Sequence, residues 1–89
     1  MYTCPCCGYK TLTEQPPGTF ETCPICYWED DDTQFCDPNY PDGSNGVSLK
    51  EAQRNFMDFG VYEVRFLSYV RQPCSQDVKD SEWSPVGTG

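Results

Sequence analysis

Two short cysteine stretches set what this chain can fold into: "CPCCG" at Cys4–Gly8 and "CPIC" at Cys23–Cys26. Each holds a CxxC pair, Cys4 with Cys7 and Cys23 with Cys26, and fifteen residues lie between the pairs. With 89 residues, the chain can build only a thin hydrophobic core. Folds of this size commonly rely on a metal, disulfides or a partner.

Tetrahedral zinc takes four soft ligands at about 2.3 Å. One CxxC hairpin presents two thiolates on the same side, and a second hairpin completes the shell. Gly8 is placed to take the left-handed conformation that closes the first hairpin. Pro5 and Pro24 fix φ at turn positions and donate no hydrogen bond there. Cys4, Cys7, Cys23 and Cys26 are therefore expected to bind one metal ion together. The alternative is two separate dithiol–disulfide pairs or free core thiols. The chain has no His, so a mixed Cys/His site is ruled out, whereas a carboxylate in place of one thiolate is conceivable. Zn²⁺ is the expected ion, with iron as the alternative, since tetrahedral thiolate sites hold either. Four thiolates close the shell that catalytic zinc leaves open for water, so no enzyme is expected.

Three further cysteines raise separate questions. Cys6 lies inside the first hairpin and should turn away from the metal; packing as a small hydrophobe is the leading reading, with a reactive thiol or an alternative ligand as the others. Cys36, between Phe35 and Asp37, is expected in the core, and Cys74 on the surface.

Fourteen acidic residues against six basic ones give a net charge of −8. That opposes binding to a nucleic-acid backbone, which needs Lys and Arg, and binding to an anionic membrane face. It suits a basic protein partner, or solubility alone. No apolar run approaches the roughly 20 residues of a membrane span. No secretory leader is expected, because Cys4 to Cys7 fall where its charged and apolar regions would be. A cytoplasmic monomer is the expectation, and in a reducing compartment clustered cysteines read as metal ligands before disulfides.

One domain is expected over residues 1–75. Residues 2–28 form a ribbon of short β-prone pieces around the cysteines, turned by "EQPPG". An acidic loop, 29–47, follows; Pro38, Pro41, Gly43 and Gly46 rule out a long regular element there. Phe35, Cys36 and Tyr40 are its expected ties. Residues 48–59 read as a helix: Ser48 and Glu51 form a capping box, Gly60 stops it, and Leu49, Ala52, Phe56 and Phe59 share an apolar face. Residues 61–71 are ambiguous: β-branched content favours a strand, while a second short helix would bring Tyr62, Phe66 and Tyr69 together. Residues 76–89 read as a mobile polar tail, except where Trp83 docks.

The fold class is thus a small metal-stapled α+β domain, with zinc-ribbon/rubredoxin-like β hairpins and one packed C-terminal helix. "YWEDDD" is read either as a docking patch anchored by Trp28 or as a packed Trp28 beside a solvated acidic turn. A calcium loop there lacks EF-hand spacing. Asp31 and Asp32 as an acid–base pair lack the unequal environments that such roles need.

The stretches "YTCPCCGYKTL", "CPICYWEDD", "DPNYPDGSNGVSLKEAQRNF" and "VRQP" resemble the bacterial cysteine-rich CPCC family, covering about Tyr2 to Pro73. The resemblance implies a small zinc-binding module, ligand duty for Cys4, Cys7, Cys23 and Cys26, and no catalytic residues to carry over. The knuckles are also similar to those of rubredoxins and zinc ribbons. Rubredoxins place Gly after each pair; Gly8 obeys, while Tyr27 departs and must follow its knuckle at some backbone cost.

The leading function is a non-enzymatic structural zinc module mediating protein–protein contact. The rivals are a rubredoxin-like iron electron carrier, a thiol oxidoreductase and a zinc-ribbon nucleic-acid binder. The oxidoreductase reading is weakened because the helix starts near Leu49, far from both pairs.

Overall fold

A computed structural model describes residues 1–86. Strand β1 (Tyr2–Thr3) pairs antiparallel with β2 (Lys10–Leu12), Tyr2 opposite Leu12 and Thr3 opposite Lys10, with a register shift between. The turn joining them is the first cysteine knuckle. The second knuckle hangs from a single bridge between Thr22 and Glu29. Then come α1 (Asp32–Cys36), α2 (Leu49–Phe59) and a 3₁₀ helix (Val64–Tyr69). The result is a small mixed α/β fold with a short hairpin, helices and buried cysteines at its centre.

Helix α2 begins and ends where its caps dictate. The Ser48 hydroxyl accepts from the Glu51 N–H, and Gly60 closes the helix at φ 80° with its N–H on the Phe56 carbonyl. Leu49 and Ala52 face the core and Phe56 packs against it, but Phe59 is mostly exposed. Gln53 is buried in its place. Its amide Nε2 donates to the Pro5 carbonyl at 2.8 Å, which ties α2 to the first knuckle.

Residues 29–47 depart most from expectation. They contain the five-residue helix α1, capped by Asp31, whose Oδ1 accepts from the Gln34 N–H. Phe35, Cys36 and Tyr40, the expected ties, are exposed. Polar groups hold the segment instead. Asp31 Oδ2 accepts from both the Ser44 N–H and its hydroxyl at 2.8 Å. Asn45 exchanges two hydrogen bonds with the Glu29 backbone. Gln34, fully buried, bonds to the backbone or side chains of Tyr40, Asn45 and Val47. A segment rich in Pro and Gly cannot pair its own backbone, so buried side-chain amides take that role.

Burial pushes the Asp31 carboxyl up, but the hydrogen bonds from Gln34, Ser44 and Thr33 outweigh it and hold it below the usual range. A carboxyl held low contributes stability above its unfolded pKa of about 3.9 and loses it as pH falls through the folded value. Asp31→Asn keeps a capping oxygen but sets an NH2 group against the donors of Gln34 or Ser44, so it should lower stability at pH 7 by about 1–3 kcal/mol, the cost of a buried group left unpaired. The gap to wild type should close as pH drops below about 4. Urea midpoints of both proteins across that range check this, and a constant gap would exclude the ionised cap.

Within the 61–71 segment, Val64–Tyr69 is a 3₁₀ helix and no part is a strand. Its 3₁₀ geometry eclipses side chains three apart. Tyr62 stacks on Phe66 with centroids 5.5 Å apart, and Tyr27 lies 5.1 Å from Phe66 and 5.7 Å from Tyr69. Aromatic packing overrode the strand preference of Val61, Val64 and Val70. The Tyr62 N–H donates to the Cys26 carbonyl at 2.8 Å, so this segment braces the second knuckle.

Of the expected mobile tail, Val78 to Trp83 is bound along the first hairpin and its knuckle, and the Val86 N–H donates to Gln53 Oε1 of α2 at 2.8 Å. Lys79 bridges Tyr9, the Lys10 N–H donates to the Val78 carbonyl at 2.9 Å, and the Asp80 N–H to the Gly8 carbonyl at 2.8 Å. Trp83 docks as expected, its Nε1 donating to the Pro5 carbonyl at 2.9 Å. The rest of the expected tail, 87–89, lies outside the described residues.

Candidate metal centre

The two knuckles are built alike. The Cys4 N–H donates to the Tyr9 carbonyl and the Gly8 N–H to the Cys4 carbonyl, both at 2.9 Å. The Cys23 N–H donates to Trp28 at 3.0 Å and the Tyr27 N–H to Cys23 at 2.9 Å. Each turn needs a left-handed residue after its second outer cysteine. Gly8 supplies φ 79° in the first, and Tyr27 takes φ 70° in the second. For a non-glycine residue that conformation costs about 1–2 kcal/mol. The Tyr27 ring recovers part of the cost by stacking on Phe66 and Tyr69. Gly8 is constrained a second way, because a Cβ there would lie 2.5 Å from the Trp83 ring.

These turns aim four sulfurs at one point. The Sγ atoms of Cys4, Cys7, Cys23 and Cys26 all lie within 4.8 Å of one another, and all four residues are fully buried. Cys4 faces Cys26 at 3.6 Å and Cys7 faces Cys23 at 3.7 Å, so the close approaches run between the knuckles. A disulfide needs about 2.05 Å. A regular tetrahedron with metal–sulfur bonds of about 2.3 Å has edges of about 3.8 Å, close to the spacing seen. The cluster can hold a metal ion, and zinc or iron fits its all-sulfur donor set. Among the described residues it is the one group of Cys, Asp or Glu side chains arranged to do so.

The electrostatics point the same way. Burial pushes the Cys4 and Cys26 thiols well up. Cys23 is held far down by hydrogen bonds from Cys26, Cys4, Cys7 and the Thr11 hydroxyl. Four buried sulfurs cannot all ionise against one another unaided, and a divalent cation is what relieves that repulsion. Thr11, itself buried, places its Oγ1 3.0 Å from Cys23 Sγ, an outer hydrogen bond of the kind that fixes a ligand's orientation. Thr11 and Leu12 of β2 are both buried, so strand alternation in "YKTLT" does not single Thr11 out.

Cys6 is a free thiol fully buried in the core, and burial raises its pKa. It stands outside the four-sulfur group. Cys6→Ala and Cys6→Ser should both keep one metal per chain while losing about 1–3 kcal/mol of stability, the serine more because its hydroxyl must be desolvated. Metal stoichiometry with denaturant midpoints checks this; loss of metal in either variant would make Cys6 a ligand. Cys36 is exposed, contrary to its expected burial, and Cys74 is exposed as expected.

Trp28 is buried, in edge contact with the Tyr62 ring at 5.9 Å, so it anchors the core and cannot anchor a docking patch. Asp30 and Asp31 are buried beside it rather than solvated. The Asp30 Oδ2 accepts from the Thr19 N–H and hydroxyl. Gln53, Lys79 and Gln34 are the supporting residues that sequence reasoning missed.

Fold and site together define a small cysteine-rich domain organised around a single four-thiol cluster. The chain belongs to the cysteine-rich CPCC family, whose pattern it matches over residues 2–77. No curated protein matches it.

Proposed function

We propose that this protein is a non-catalytic zinc module whose metal organises a small surface for protein–protein contact. The observation that carries the metal reading is the convergence of Cys4, Cys7, Cys23 and Cys26 within 4.8 Å in a buried pocket of the fold. Four sulfurs close the coordination shell, which favours structure over metal-assisted hydrolysis. Elemental analysis of the purified protein tests it: one zinc per chain in a colourless protein is expected. A red protein with one iron would favour electron transfer instead, and no bound metal would end both readings.

The contact role is supported by exposed aromatic and aliphatic side chains on one segment, with Leu67 and Tyr69 of the 3₁₀ helix about half or more exposed. The net charge of −8 favours a basic partner. It disfavours nucleic acid, and of the few cations Arg65 is paired with Glu63 and Arg71 with Asp77. Among the described residues no helix is long and apolar enough to cross a membrane. The cysteine usage fits the cytoplasm, with the chain acting as a monomer.

A further inference from the structure

Four thiolates around a divalent ion leave a net charge of about −2 in a buried site. Such charge is costly unless hydrogen bonds or a counter-charge compensate it. One cation is held against the backbone of the first knuckle. Lys79 Nζ donates to the carbonyl of Cys7 at 2.7 Å, between the rings of Tyr9 at 4.7 Å and Trp83 at 4.6 Å.

The ammonium is fixed by its segment as well as by the rings. Trp83 is pinned to the Pro5 carbonyl, Asp80 to the Gly8 carbonyl, and the Thr3 hydroxyl donates to Asp80 Oδ2 at 2.6 Å. Every one of these anchors lies in β1 or the first knuckle. A Cβ on Gly8 would fall 2.5 Å from the Trp83 ring and 3.1 Å from Lys79 Cε, so glycine leaves the room this segment occupies. The family match ends at residue 77, just before the segment begins. Lys79 is exposed overall, so it is the hydrogen bond to Cys7 and the cation–π contacts from two rings that fix its ammonium in place.

We propose that residues 78–86 form a strap that holds Lys79 as the counter-cation of the metal centre and slows metal loss. The inference rests on the metal-binding reading above. The strap adds a positive charge at the rim of the cluster and covers the first knuckle with Trp83. Lys79 is a positioning and charge-compensating residue and not a ligand.

The test uses full-length protein loaded with zinc, in wild-type, Lys79→Met, Lys79→Gln and Lys79→Arg forms. Zinc transfer to a chromogenic chelator and far-ultraviolet circular dichroism are followed. The Met and Gln variants should release zinc about tenfold faster, as loss of an outer-shell partner does, with unchanged dichroism. Arg should stay near the wild-type rate, because a guanidinium keeps the charge and stacks on aromatic faces. Equal rates in wild type, Met and Gln would overturn the proposal. So would equal acceleration by Arg, which would make lysine's shape the cause. If Met fails to fold, the Gln variant carries the same charge loss. Wild-type protein that takes up no zinc ends the metal reading and this one with it; uptake with equal rates ends this one alone.

Discussion

Serine in place of any one of Cys4, Cys7, Cys23 or Cys26 is expected to abolish stoichiometric metal binding and most of the folded signal. Five of the twelve buried apolar residues among those described are cysteines, so sulfur is a structural core material here. The regular elements cannot stand without it. A hairpin of two- and three-residue strands is below what is stable alone, and an eleven-residue helix is marginal in water. Structural zinc supplies about 10–16 kcal/mol of binding free energy in small metallo-domains at pH 7. Whole domains are stable by about 5–15 kcal/mol. Losing one thiolate therefore removes more than the net stability. Circular dichroism and metal analysis of the four variants check this, with Cys6→Ser as the control that should retain both. A strong chelator should unfold wild-type protein in the same way. Wild-type metal content in any of the four variants would remove that residue from the ligand set.

The four-sulfur cluster was legible because spacing alone selects its members. Two CxxC pairs either side of a Pro-Pro-Gly turn leave few ways to place the sulfurs, and the structure brings together the four that spacing selects. Helix α2 was legible for a similar reason: Ser48, Glu51 and Gly60 are local signals that act within one turn of the backbone. The tail and the acidic loop were not. Lys79, Asp80 and Trp83 find their partners at Cys7, Gly8 and Pro5, more than seventy residues away, and apart from Trp83 nothing in a polar C-terminal stretch announces a long-range match. Residues 29–47 misled differently. Aromatic Phe35 and Tyr40 suggested an apolar anchor, whereas the segment is held by Gln34, Asn45 and Asp31. Composition marks those three as surface residues, and only the geometry of an otherwise unpaired backbone turns them inward.

That geometry makes Gln34→Leu the second large effect expected. Gln34 is fully buried. Its Nε2 donates to the carbonyls of Val47 at 2.9 Å and Tyr40 at 3.1 Å, with a longer contact to Asn45 at 3.4 Å. Its Oε1 accepts from the Asn45 side chain at 2.9 Å and from the Asn45 N–H at 3.2 Å. Gly43 packs so closely that a Cβ there would sit 2.5 Å from Gln34 Cγ. Leucine fills similar space but leaves buried donors and acceptors unpaired, each at about 1–3 kcal/mol. A total loss of about 3–5 kcal/mol follows, in the range of a broken buried network. Gln34→Glu should be as damaging, because it keeps the acceptor and sets a carboxylate against carbonyls. The cysteines are untouched, so both variants should still bind one metal per chain at saturating zinc. Yet Asn45 ties this loop to Glu29 beside the second knuckle, and the Lys50 N–H on the Pro38 carbonyl ties it to α2. Helix α2 in turn reaches the first knuckle through Gln53 and Pro5. Loosening Gln34 should therefore weaken the link between the two halves of the metal centre and speed zinc transfer to a chelator. Urea midpoints at fixed metal concentration, with transfer rates alongside, decide it. A midpoint shift worth less than about 0.5 kcal/mol, the scatter of ordinary surface substitutions, would show that Asp31 and Asn45 hold the loop without Gln34.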